Sequence, residues 1–110
     1  MKDMMEFKGY YGSVHYSDDD VVFYGKVEYI RSLVTYEGMD ITSLRKAFED
    51  AVDDYLSLCK ERDTPPEKPF KGTFNVRLSS ALHRKAALTA YERHINLNTI
   101  VAEALEHYLE

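Results

Sequence analysis

Thr73, Asn75 and Arg77 recur at every second position of the stretch Gly72-Thr73-Phe74-Asn75-Val76-Arg77-Leu78. In an extended chain that spacing brings the three side chains to one face and Phe74, Val76 and Leu78 to the other. The polar face carries groups suited to base edges in the DNA major groove. Arginine grips guanine O6 and N7, asparagine grips adenine N6 and N7, and threonine adds a hydroxyl or methyl contact, each good bidentate pair discriminating by about 1–3 kcal/mol. The plainer alternative is the wet side of an ordinary edge strand, since alternation is common. A second polar pair, Asn98-Thr99, sits where a helix is expected to begin. Free N–H groups and the positive end of a helix dipole can hold a phosphate there.

Other polar clusters have weaker claims. Asp18-Asp19-Asp20, with Glu49, Asp50, Asp53 and Asp54, could hold magnesium in a nuclease. Carboxylates opposite an apolar helical stripe are more often a solvated face, and an Asp triplet between strands is usually a turn. His15, His83, His94 and His107 show no metal-ligand spacing. The chain has no phosphate-cradling glycine loop and no nucleophile elbow. We expect no catalytic residue, no metal and no cofactor.

These groups need elements to hold them. Residues 10–16 alternate loosely and predict a strand, with a turn at Asp18–Asp20. Residues 21–27, rich in β-branched and aromatic side chains, predict a second strand, and 29–36 a third ending at Glu37-Gly38. A three-stranded antiparallel meander is the economical arrangement. A helix follows, capped by Asp40 or Thr42 and ending near Arg62. Leu44, Ala47, Phe48, Ala51, Tyr55, Leu58 and Cys59 form its apolar stripe. All three prolines fall in Thr64-Pro65-Pro66-Glu67-Lys68-Pro69, which cannot continue a helix and predicts a stiff, extended linker. A cap at Ser79 or Ser80 opens a second helix, running to about Arg93 with Leu82, Ala86, Thr89, Ala90 and Arg93 on one face. A third opens at Asn98, with Ile100, Val101, Ala104, Leu105, Tyr108 and Leu109 as its apolar stripe. The expected organisation is residues 1–63, a linker at 64–71, and a second domain at 72–110. The lone strand in that domain has no partner among its own residues, and about 40 residues is near the lower limit for independent folding. Pairing with the same strand of a second copy would cure both defects.

Composition sets further bounds. The chain has 110 residues, 45% hydrophobic and 30% charged, as in an ordinary globular protein. A single cysteine, Cys59, excludes an intrachain disulfide and a cysteine-based zinc site. No apolar run approaches a membrane span, and the N-terminal residues lack the apolar core of a secretion signal, so a cytoplasmic location is expected. The net charge of −5 is unevenly spread: residues 1–69 carry −6 and residues 70–110 carry +1. The second part is not repelled by phosphate but is no basic patch, so binding as a larger assembly is expected. The acidic first part suits a basic protein partner.

Phe74-Asn75-Val76-Arg77-Leu78, then Ser79-Ser80 before a helix and Asn96-Leu97-Asn98-Thr99 opening another, resembles a ribbon-helix-helix DNA-binding module of the Arc repressor type. The preceding residues resemble the HicB antitoxins: Tyr10-Tyr11-Gly12, Phe23-Tyr24-Gly25, Val34-Thr35-Tyr36-Glu37-Gly38, Ala51-Val52-Asp53-Asp54-Tyr55-Leu56 and Pro66-Glu67-Lys68-Pro69-Phe70-Lys71-Gly72. Together these runs cover nearly the whole chain in the family's order. One departure is His94, where the family usually has glycine, a residue more tolerant of a left-handed backbone.

The resemblance implies an α+β fold, with a HicB-like, partial RNase H-like first domain and a ribbon-helix-helix that completes its sheet by dimerisation. It implies a non-enzymatic antitoxin with two partners. One is a HicA-type toxin, a small basic ribonuclease that cleaves mRNA. The other is operator double-stranded DNA, bound by a homodimer and by higher oligomers of it. Thr73, Asn75, Arg77, Asn98 and Thr99 would contact DNA. Phe74, Val76, Leu78, Leu82, Ile100, Val101 and Leu105 would form the dimer core. Asp18, Asp19 and Asp20, with exposed strand edges, are the first choice for the toxin. A stand-alone transcriptional regulator, whose first domain senses a ligand or is structural, is the alternative.

Overall fold

The computed structural model describes residues 3–110. It is α+β, with two small antiparallel sheets and three helices. The chain divides into two compact units, Met1–Thr73 and Phe74–Glu110.

The first unit opens with a hairpin of β1 (Met4–Phe7) and β2 (Tyr10–Ser13), in which Met4 faces Ser13 and Phe7 faces Tyr10. Its two-residue turn holds Lys8 and Gly9 at φ 53° and 83°. Positive φ at both positions matches the twist of the flanking strands. The second sheet has the order β3-β4-β5, with β3 His15–Ser17, β4 Val22–Lys26 and β5 Thr35–Gly38. The two sheets are stitched together by a bridge between Gly12 and Val27 and by the Glu28 N–H donating to the Tyr11 carbonyl at 2.8 Å.

Three sequence expectations change. The meander exists as β3-β4-β5, but a hairpin strand that the sequence does not announce, β1, precedes it. The span 10–16 is not one strand: it breaks at Val14, with β2 pairing β1 and β3 pairing β4. The third strand is shorter than 29–36. Tyr29 takes a left-handed backbone at φ 65°, which ends extended structure, and pairing resumes only at Thr35.

Helix α1 (Ile41–Glu61) covers the sheets. Asp40 is its cap, accepting from the Ser43 N–H at 2.7 Å, and these local donors hold its carboxyl below the ordinary carboxylate range. The far end closes with Asp63 at φ 53°. There Asp63 N–H donates to Lys60 O and Thr64 N–H to Cys59 O, the two hydrogen bonds of a Schellman stop. Leu44, Phe48, Val52 and Cys59 are its buried residues. Val52, absent from the expected stripe, is fully buried, whereas Leu58 is exposed because it sits a quarter-turn off the inward face.

Met5, Tyr10, Val27, Tyr36, Leu44, Phe48 and Val52 form the core. Glycine is required at Gly12 and Gly25. A Cβ on Gly12 would strike the Tyr36 hydroxyl and the Phe48 ring, and one on Gly25 would strike the Ser13 carbonyl. The space left free admits the Tyr36 ring, which packs 5.3 Å from Phe48 and donates its hydroxyl to Ser13 O at 2.7 Å.

Burial keeps the Tyr36 phenol neutral and pushes its pKa up to about 12. An unfolded tyrosine ionises near 10 (about 10), so the stability tied to this proton is fully present below that pH and is lost as pH rises through the folded value. Tyr10 and Tyr55 are also raised by burial and act in the same direction. We expect Tyr36→Phe to flatten the fall in unfolding free energy over the window from about 10 to 12. Urea titrations at fixed ionic strength read this, and an unchanged slope would show that the phenol does not control alkaline unfolding.

The second unit consists of α2 (Ser80–Glu92) and α3 (Leu97–Leu109), packed against each other, with residues 74–79 ahead of them.

Candidate nucleic-acid interface

Residues 73–78 join neither sheet and every one of them is exposed. The apolar members stand in solvent: Phe74 is 70% exposed, Val76 54% and Leu78 46%. Thr73, Asn75 and Arg77 are likewise open. The run therefore has the pattern of a half-buried strand without the surface that would bury it.

The helices behind it show the same deficit. Ala90 is the one buried residue of the unit Phe74–Glu110. Leu82 and Leu105 are exposed, and Ile100 and Val101 are only half covered. Each helix is nonetheless well terminated. Ser79 caps α2 by accepting from the Leu82 N–H at 3.2 Å. At its other end His94 stands at φ 57°, with His94 N–H on Tyr91 O and Ile95 N–H on Ala90 O. This is a second Schellman stop, built without glycine. An Arg93–Glu103 ion pair at 3.1 Å spans α2 and α3.

The start of α3 lies one residue earlier than expected. It begins at Leu97, and the cap is Asn96, not Asn98. The reason is geometric: Asn96 has an extended backbone, and its Oδ1 accepts from both Thr99 N–H at 2.8 Å and Thr99 Oγ1–H at 2.9 Å. Asn98 is thus inside the first turn and exposed, while Thr99 is half-buried with its amide already engaged. The amides of Leu97 and Asn98 are those left at the positive end of the helix. Asn96 is visible in the sequence three residues before Thr99, the ordinary capping interval.

In the first unit, Asp18, Asp19 and Asp20 lie in the exposed loop between β3 and β4. Asp20 is tied locally, its N–H donating to Ser17 Oγ at 3.3 Å. The carboxylates of α1 stand beside cations: Asp53 with Lys8 at 2.6 Å, Glu49 with Arg45 at 3.1 Å and Asp50 with Lys46 at 3.1 Å. Among the described residues no group of three or more His, Cys, Asp or Glu side chains is placed to hold a metal ion.

A stretch containing the exposed run, both caps and His94 also has a family signature. Residues 55–105 match the HicB family model. The match covers just under half of the chain. It begins in the last turns of α1 and reaches into α3. No curated protein and no solved structure matches the chain. No helix among the described residues is long and apolar enough to cross a membrane.

His94 offers a direct test of the second helical stop. A side chain at positive φ carries a steric cost that glycine lacks. We expect His94→Gly to raise the unfolding free energy by about 0.5–1 kcal/mol, the gain being limited by the greater freedom of glycine in the unfolded chain. Denaturant melts at one fixed protein concentration measure it. A loss of stability would show that the imidazole makes contacts worth more than the strain.

Proposed function

We propose that the protein is a HicB antitoxin that dimerises through residues 73–78, binds operator DNA with the polar side of the resulting ribbon, and uses its first unit to neutralise a HicA-type toxin. The observation that carries the DNA half of this reading is the exposed alternation at 73–78, ahead of two helices that bury a single side chain between them. Two copies pairing antiparallel would satisfy the ladder groups of both runs. The same act would turn Phe74, Val76 and Leu78 onto Leu82, Ile100, Val101 and Leu105 of the joined helices. Thr73, Asn75 and Arg77 of each copy would then face the groove, and the Leu97 and Asn98 amides would meet a flanking phosphate. A charge of +1 over residues 70–110 favours several dimers per operator over one tightly held dimer.

The toxin half rests on the family match and on charge. A balance of −6 over residues 1–69 attracts a basic nuclease and can mask the surface with which it grips RNA. The Asp18–Asp20 loop and the free edges of β3 and β5 are the candidate contacts, strand addition being a common mode of capture. The ion pairs along α1 support the reading of its carboxylates as a solvated face rather than as metal ligands.

Two variants separate base reading from dimer formation. Arg77→Ala should weaken specific DNA binding by roughly 1–3 kcal/mol and leave the dimer intact, whereas Phe74→Asp should abolish the dimer and DNA binding together. Mobility-shift titration and sedimentation equilibrium read the two effects. Unchanged DNA affinity in the first variant, or an undiminished dimer in the second, would overturn the ribbon.

The toxin claim has its own measurement. Tagged protein expressed in its native host should co-purify with a short basic protein whose ribonuclease activity returns when the two are separated. Recovery of the tagged chain with DNA but without any such protein would favour a stand-alone regulator.

A further inference from the structure

The segment between α1 and the exposed run is fixed to the first unit at two points, the first of them Glu67. Glu67 takes part in five hydrogen bonds. Its carboxylate accepts from Arg31 N–H at 2.7 Å, Ser32 N–H at 3.0 Å and Ser32 Oγ–H at 2.6 Å. Its own N–H donates to the Tyr55 hydroxyl at 2.9 Å, and its carbonyl accepts from the Tyr10 hydroxyl at 2.6 Å. Those two tyrosines pack edge to face, 6.1 Å apart, so β2 and α1 present both hydroxyls together. The loop after β4 supplies the other three donors. These donors, the Ser32 hydroxyl foremost, hold the Glu67 carboxyl below its ordinary range.

A second attachment follows three residues later. Phe70 adopts φ 58°, an unfavourable backbone for a bulky residue, and its ring lies 4.7 Å from Tyr29 and 5.4 Å from Tyr11. Tyr29 is itself at φ 65°. Strain of this kind persists only where surrounding contacts over-determine it. Beyond Phe70 such contacts end. Gly72 stands at φ 92° with nothing within 4 Å of where a Cβ would lie, and residues 71–79 are all exposed.

We propose that Thr64–Phe70 is a latched strap, with Glu67 as its latch against the Arg31-Ser32 loop, and that the chain articulates only beyond it, around Gly72. The strap gives the Pro-Glu-Lys-Pro-Phe run a structural role. Proline keeps the segment extended, glutamate fastens it, and phenylalanine seats its end. Release of the latch together with the Phe70 ring frees residues 65–70, adding up to about 20 Å to the reach of the chain that follows. Whatever displaces the Arg31-Ser32 loop therefore lengthens the tether, independently of what either unit binds.

Hydrogen exchange resolved by residue in the full chain tests this. In Glu67→Ala the Arg31 and Ser32 amides, which lose their acceptor, should exchange about tenfold faster or more, while Phe48 and Val52 in α1 keep their rates. Glu67→Gln, which retains one acceptor oxygen, should fall between Glu67→Ala and the parent chain. Unchanged rates at Arg31 and Ser32 would overturn the latch. Equal acceleration at Phe48 and Val52 would also overturn it, by making Glu67 a support of the whole unit. Should Glu67→Ala fail to fold, Glu67→Gln serves alone, and Arg31 and Ser32 amides that kept the parent rates in it would be decisive against the proposal.

Discussion

Backbone polar groups cannot be hidden without partners, and apolar side chains cannot be hidden without a surface. Residues 73–78 meet neither condition in a single chain. Their ladder groups are unpaired, and Phe74, Val76 and Leu78 face solvent ahead of helices that leave most of their own apolar side chains uncovered. The first unit is built differently. There the Tyr36 ring fills the space left by Gly12 and Gly25, and Leu44, Phe48 and Val52 close over it with almost no exposure. One chain thus carries a finished core and an unfinished one, and the proposed assembly follows from the second.

Helices are the most legible part of the sequence. Asp40, Ser79 and the apolar spacing of α1 predict starts and faces close to those observed, because capping and 3.6-residue periodicity are local signals. Asn96 and Asn98 are both residues that suit a helix start; the expected opening at Asn98 falls one residue after the observed Leu97, and backbone geometry makes Asn96 the cap. The strands are harder. Val14 splits an alternating run because residues on its two sides pair with different strands, a tertiary choice invisible to periodicity. The β1 hairpin escapes a sequence reading since its turn uses Lys8-Gly9, without the asparagine or aspartate that usually marks such a turn.

The polar face of 73–78 is legible as a pattern. What sequence could not reveal is Glu67: its partners Tyr10, Arg31, Ser32 and Tyr55 are scattered over three elements, and the prolines around it suggest a free linker. His94 shows the converse. The expected glycine is absent, yet the left-handed stop forms, held by two backbone hydrogen bonds that do not depend on the side chain.

An unfinished core at one end of a chain has a mass-action corollary. If closing it takes two molecules, the amount of closed form grows with the square of total chain when chain is scarce and linearly when it is plentiful. The open run at 73–78 would then act as a threshold element, silent in dilute solution and engaged once enough copies accumulate, while the self-contained first unit stays folded across the whole range.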